Sequence, residues 1–222
     1  MGFKRAIAVW MAGSAFLLAA TTIASAEGPQ WTGFYVGGTV GSGWGESRFD
    51  TAGGTANPFD IDGTIAGVTI GYGFKVGKSW IAGIEGDVSS GISGSFGPGN
   101  LGLPNGAAFI CSGPCSTDVD WFATVRARLG YTLSSALLVY GTAGFAFGEV
   151  DSGIAGAPSF KVRDTNTGWT AGAGIEYAFA PSWSMKLEYL HVDLGWTDRP
   201  FILKSDTEFD LVRVGVNFYF GK

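Results

Sequence analysis

The sequence predicts an all-β fold: an eight-stranded antiparallel up-and-down barrel that crosses a membrane. Three observations lead there. The last stretch, residues 212–220, alternates strictly, with Val212, Val214, Val216, Phe218 and Phe220 on one face and Arg213, Gly215 and Asn217 between them. Period-2 alternation puts the two sets on opposite sides of a strand, one suited to hydrocarbon and the other to a polar interior. The same pattern recurs seven times upstream. No apolar run after residue 26 approaches the ~20 residues of a spanning helix. A chain that enters lipid must then close its sheet, because lipid satisfies no open edge.

The N-terminus sets the compartment. Lys4 and Arg5 form a positive start, residues 6–20 are nearly all apolar, and Ala24-Ser25-Ala26 is a small-x-small exit. This is the layout of a signal peptide cleaved after Ala26, and the apolar run is too short for a membrane anchor. Cleavage leaves residues 27–222 as one barrel domain. The whole chain has 14 Lys and Arg against 19 Asp and Glu, a formal charge of −5, and loss of Lys4 and Arg5 makes it −7. An acidic exported protein is a poor match for nucleic acid. Glycine is 37 of 222 residues, but aromatics reach 14% and prolines number only 8, which argues against a low-complexity disordered chain.

The strands follow in order. The first, about 33–43, sets Phe34, Val36 and Val40 against Tyr35, Thr39 and glycines. The second, about 64–75, sets Ala66, Val68, Ile70, Tyr72 and Phe74 against Gly67, Thr69, Gly71 and Gly73. The third, about 80–88, turns Trp80, Ala82, Ile84 and Val88 away from Glu85 and Asp87. The fourth, about 119–131, sets Trp121, Ala123, Val125, Ala127, Leu129 and Tyr131 against Asp120, Thr124, Arg126 and Arg128. The fifth, about 137–147, has Leu137, Val139, Ala143, Phe145 and Phe147 opposite Tyr140, Thr142 and Gly144. The sixth, about 168–179, sets Trp169, Ala171, Ala173, Ile175, Tyr177 and Phe179 against Thr170, Gly172, Gly174 and Glu176. The seventh, about 183–190, sets Trp183, Met185, Leu187 and Tyr189 against Ser184, Lys186 and Glu188, and the eighth is the C-terminal stretch.

Amphipathic strands also build soluble sandwiches. Joint features favour the membrane. All eight prolines fall between strands or before them, as a hydrogen-bonded ladder requires. Connections alternate in length: tight turns around Gly77-Lys78, Ser134-Ser135 and Pro181-Ser182, and long stretches at about 44–63, 89–118, 148–167 and 191–207. Short periplasmic turns and long outer loops mark such barrels. Aromatics cluster at strand ends on the apolar face. Phe34, Phe74, Trp80, Tyr131, Phe179, Trp183, Phe218 and Phe220 form one expected rim, and Trp44, Trp121, Phe147 and Trp169 the other.

Several motifs carry no chemistry. Residues 73–79, Gly-Phe-Lys-Val-Gly-Lys-Ser, have three residues between the glycines where a phosphate loop has four, and no helix follows. Cys111 and Cys115 sit in the longest connection without further metal ligands nearby. In an exported chain they are expected to form a disulfide that pins a loop tip. His191, the sole histidine, lies two residues before Asp193. No motif places a nucleophile near it, so an interfacial role is preferred to catalysis. No cofactor or metal is implied.

Trp31-Thr32-Gly33-Phe34-Tyr35-Val36-Gly37-Gly38 resembles the opening strand of the small outer-membrane immunogenic, or porin-family, β-barrel proteins of alphaproteobacteria. Residues 174–179 (Gly-Ile-Glu-Tyr-Ala-Phe), 186–189 (Lys-Leu-Glu-Tyr) and 212–217 (Val-Arg-Val-Gly-Val-Asn) are similar to that family's last three strands. The resemblance spans roughly residues 31–220. It implies an OmpA-like eight-stranded barrel exposed at the surface of the outer membrane. The family's members commonly end on the aromatic residue of the last strand, an assembly signal; here Gly221-Lys222 follow Phe220.

Inward projection collects Glu85, Asp87, Glu176 and Glu188 against Arg126, Arg128, Lys186 and Arg213, four against four. The third strand neighbours the fourth, and the sixth to eighth are consecutive, so opposite charges are expected to pair across adjacent strands. Eight strands enclose only enough room for side chains, and buried charges persist when paired. The expectation is a salt-bridged plug in a structural, surface-interacting protein. A narrow solute channel is the alternative. A ligand or host-binding role for connections carrying Glu46, Asp50, Asp60, Asp62 and Asp164 comes next, and an enzyme last. Expected partners are outer-membrane lipid and lipopolysaccharide, the periplasmic chaperones and barrel-assembly machinery met during export, and an unidentified surface ligand.

Overall fold

Alternating sequence becomes a closed wall in the computed structural model, which describes residues 31–51, 54–55, 59–96, 100–102, 108–110, 115–154, 160–198 and 204–220. Eight long strands form the barrel: β1 Gly33–Thr51, β2 Phe59–Val76, β3 Trp80–Ser90, β4 Cys115–Thr132, β5 Leu137–Ile154, β6 Phe160–Ala180, β7 Trp183–Asp198 and β8 Lys204–Phe220. Each pairs antiparallel with its neighbour in sequence, and β8 returns to β1. The ladder therefore has no open edge over the membrane-spanning part.

The ring closes with a stagger. From Thr39 the register runs through Gly67 and Ser89 to Phe122 on β4. The other way round, through Gly215, Lys186, Glu176 and Leu138, it reaches Thr132 on the same strand. That offset of ten residues tilts the strands against the barrel axis, as closure of a small barrel demands.

Facing follows the alternation. Val68, Ile70, Ile84, Val125, Leu129, Phe145 and Val214 lie exposed on the outer wall, while Tyr35, Glu85, Arg126, Glu176 and Arg213 are buried inside. Trp80 packs edge-on against Tyr131, and Trp183 against Phe218, at the end with the short turns. Trp44, Trp121 and Trp169 stand exposed on the wall nearer the other end. The ten residue-to-residue steps from Phe34 to Trp44 rise roughly 25 Å at about 3.3 Å per step and a tilt near 40°. That is the height of a barrel's apolar band.

Two expectations change. The strands run past the outer aromatic rim: β1 continues to Thr51, β5 to Ile154 and β7 to Asp198. The connections on that side are correspondingly shorter, because polar strand residues above the rim keep the ladder while losing the hydrophobic alternation that betrays a strand. Asp120, expected inside, is exposed. The register between β4 and β5 jumps between Val119 and Trp121. This bulge adds one residue and reverses the facing there. Ala26 and Cys111 lie outside the described residues, as does the tip the expected disulfide would pin.

The interior is filled in three layers. At the short-turn end Trp31, Ile81, Leu138 and Ala178 form an apolar cluster with Tyr219 against it. At the other end Ile61, Ile65, Ile92, Val119, Phe122, Ala146, Leu190, Val192, Leu194, Phe209 and Leu211 form a larger one. Ile92 enters this cluster from a break after β3, where Gly91 N donates to Asp120 O (3.0 Å) and Val119 N to Ile92 O (2.9 Å). Between the two apolar layers lie the charges.

Candidate functional site

The eight charged residues projected inward meet in one layer. Arg126 on β4 binds three carboxylates: Glu85 of β3, Asp87 of β3 (2.8 Å) and Glu188 of β7 (3.2 Å). Arg213 on β8 holds Asp87 (3.0 Å) and Glu188 (2.6 Å). Lys186 on β7 reaches Glu85 (3.0 Å). Arg128 on β4 binds Glu176 on β6 and lies 3.8 Å from Glu85. All eight side chains are at most 7% exposed.

Adjacent-strand pairing accounts for only part of this. Arg126 with Glu85 and Asp87, and Arg213 with Glu188, are neighbours in the sheet. Arg126–Glu188, Arg213–Asp87, Lys186–Glu85 and Arg128–Glu176 reach beyond the adjacent strand. Lys186 stands opposite Glu176 in register yet bonds Glu85. The lumen of eight strands is narrow enough for a long cation to span it, and Glu176 is taken by Arg128.

Uncharged partners complete the layer. Tyr35 OH donates to Glu85 (2.8 Å), Tyr140 OH to Glu188 (3.0 Å) and Tyr219 OH to Glu176 (2.8 Å). Thr124 donates to Asp87 (2.5 Å), and Ser184 (2.5 Å) and Asn217 (2.9 Å) donate to Glu176. The Arg128 guanidinium lies 3.6 Å over the Tyr140 ring. Buried carboxylates thus accept several charge-assisted bonds each, which offsets much of their desolvation. Sequence reading missed Tyr35, Thr124, Tyr140, Ser184, Asn217 and Tyr219 as network members. Their inward parity was the available signal, but a neutral side chain at an inward position does not announce which acid it serves.

Glycine makes the space. Tyr35 faces Gly71 across the β1–β2 ladder, and Tyr140 faces Gly174 across β5–β6. A Cβ at Gly71 would stand 2.2 Å from the Tyr35 ring, and one at Gly174 2.5 Å from the Tyr140 hydroxyl. Each phenol occupies the space a glycine leaves and so reaches its carboxylate.

Some polar atoms stay outside the network. Thr69 Oγ1, Ser89 Oγ, Arg128 Nε and Asn217 Oδ1 are buried without a protein hydrogen-bond partner among the described residues. His191 is apart from the layer: on the outer wall its Nδ1 lies 2.9 Å from Asp210, and its ring 5.2 Å from that of Trp169. Asp193 instead accepts the Trp169 indole N–H (2.9 Å). No group of three or more metal-ligating side chains occurs among the described residues.

Comparison with known proteins places these features in context. Residues 12–220 match the family described as outer membrane protein beta-barrel domain. The chain is 38% identical over 221 residues to the 31 kDa outer-membrane immunogenic protein of Brucella melitensis, covering 90% of this chain and 88% of that protein. It is 31% identical over 163 residues to the 22 kDa outer membrane protein of Rhizobium leguminosarum bv. viciae, covering 73% and 64%. Among solved structures, Neisserial surface protein A superposes with a TM-score of 0.50 at 14% identity, covering 85% of this chain and 98% of that one. The outer membrane protease OmpT of Escherichia coli does so with 0.55 at 11% identity, covering 84% and 96%. These two likenesses are of fold.

Proposed function

This chain belongs to the outer membrane protein β-barrel domain family and resides in the outer membrane, and on that premise we propose that it is a structural, surface-presented barrel whose lumen is closed. One observation carries the reading. Four buried carboxylates and four buried cations form a single bonded layer between two apolar layers. An ion crossing it would have to break several charge-assisted bonds inside a low-dielectric wall, and each apolar layer would resist wetting. The relatives' designation as outer-membrane immunogenic proteins supports presentation at the surface.

We assign no catalytic role. The His191 imidazole bonds Asp210, and among the described residues the hydroxyl that hydrogen-bonds this residue, Thr170 Oγ1, donates to the His191 backbone carbonyl (2.8 Å) and not to the ring. A narrow channel is the second reading, favoured by the buried polar atoms of Thr69, Ser89, Arg128 and Asn217 that lack protein partners. Osmotic swelling of proteoliposomes in small sugars separates the two. A closed lumen gives swelling equal to that of protein-free vesicles. Faster swelling that falls with solute size supports the channel.

A further inference from the structure

The outer wall carries a polar step where apolar side chains are the rule. On β7 and β8 the Asp210 Oδ1 oxygen receives both Tyr189 OH (2.7 Å) and His191 Nδ1 (2.9 Å). The side chains of His191 and Asp210 are each 32% exposed, and Tyr189 is 45% exposed. Asp210 pairs in register with Trp44 on one side and His191 on the other, and His191 with Ala171 of β6. The exposed Trp44 and Trp169 indoles flank the step, and the Trp169 ring lies 5.2 Å from the imidazole. Trp169 Nε1 donates to Asp193 (2.9 Å), which also accepts Gly195 N (2.8 Å). The patch spans four adjacent strands, roughly 14 Å at about 4.8 Å per strand.

Such a group is costly against hydrocarbon and marks a functional position when it occurs there. Its height answers the cost. Trp44 and Trp169 belong to the outer aromatic rim, the level at which acyl chains give way to headgroups. A carboxylate, an imidazole and a phenol between two flat indoles make a surface for hydroxyl-rich, C–H-faced rings: hydroxyls bond to Asp210 and His191, and the apolar ring faces lie on tryptophan. Asp210 and Asp193 repel phosphate, so the uncharged sugar face is the part that fits.

We propose that the Tyr189–His191–Asp210 step, with Trp44 and Trp169, seats the saccharide headgroup of an outer-leaflet glycolipid against the β6–β7–β8–β1 wall. A width of about 14 Å suits a two-sugar headgroup. The proposal goes beyond the closed-lumen reading and does not depend on it.

The test uses the full folded protein in phosphatidylcholine vesicles, alone, with deep-rough lipopolysaccharide, or with phosphatidylglycerol. The heat-unfolding midpoint is read by gel mobility, and each variant is compared with itself with and without the added lipid. Lipopolysaccharide is expected to raise the midpoint and phosphatidylglycerol to leave it unchanged. Asp210→Asn and Trp169→Leu should each at least halve the increase, while Trp183→Leu at the other rim retains it. If Asp210→Asn does not fold, His191→Gln carries the same comparison. An equal increase in the patch variants and the unmodified protein overturns the proposal. So does an equal increase with phosphatidylglycerol, which indicates a charge effect, or an increase tracking a cross-linked dimer, which indicates a second copy on the wall.

Discussion

Replacing Arg128 with alanine is expected to be among the most damaging single changes in the barrel, and the damage should be reversible by a second change. Glu176 has one cation, Arg128, among the described residues; its other partners are the neutral donors Ser184, Asn217 and Tyr219. Without Arg128 this fully buried carboxylate is uncompensated, at a cost of about 3–5 kcal/mol. Loss of the guanidinium from over the Tyr140 ring places the value toward the upper end. Adding Glu176→Ala removes the stranded charge, so the double variant should regain about 2–3 kcal/mol relative to the sum of the singles. Arg126 with Glu85 should couple less completely. Arg126 also serves Asp87 and Glu188, and Glu85 also receives Lys186, so removing both still leaves altered charges behind. The assay is urea unfolding in lipid vesicles, followed by tryptophan fluorescence and gel mobility. An Arg128→Ala loss below about 1 kcal/mol, or additivity of Arg128→Ala with Glu176→Ala within about 0.5 kcal/mol, would refute a paired, dry layer.

Three further outcomes are expected. Val125→Arg, on the outer wall near mid-height, should destabilise the folded barrel in lipid by about 2–4 kcal/mol, whereas Thr124→Arg should act inside by crowding and charge; an unchanged Val125→Arg midpoint would invert the facing of β4. Gly71→Ala should push the Tyr35 ring off its seat and break its bond to Glu85, lowering stability by about 1.5–3 kcal/mol in the same unfolding assay. The mature protein should begin Glu27-Gly28-Pro29; intact mass from isolated outer membranes checks this, and a mass retaining residues 1–26 points to an anchored N-terminus.

The membrane-spanning wall was legible because each strand had to satisfy two solvents at once. Val68 and Ile70 on one side of β2, with Gly67 and Thr69 on the other, leave no second way to place the strand. The charge layer was legible for the same reason: Glu85 and Asp87 share one parity, as do Arg126 and Arg128. The apolar seal was not, because Phe122, Leu190, Leu211 and Phe209 occupy inward positions where apolar residues look like breaks in the pattern. They are buried nonetheless, since inward positions outside the charge layer need no polar partner. The Asp120 bulge was hidden because alternation alone does not reveal an inserted residue. Pair identities were hidden too. Lys186 bonding Glu85 over its register neighbour Glu176 depends on reach across the lumen, which strand order does not encode.

Conductance of the purified, refolded protein in planar bilayers tests the closed lumen most directly. The predicted record is free of steady steps, and Arg126→Ala raises leakage by loosening a layer in which one side chain joins three carboxylates. A steady, ohmic step in the unmodified protein that Arg126→Ala leaves unaltered would contradict the account and show the charges to be solvated along a water-filled path.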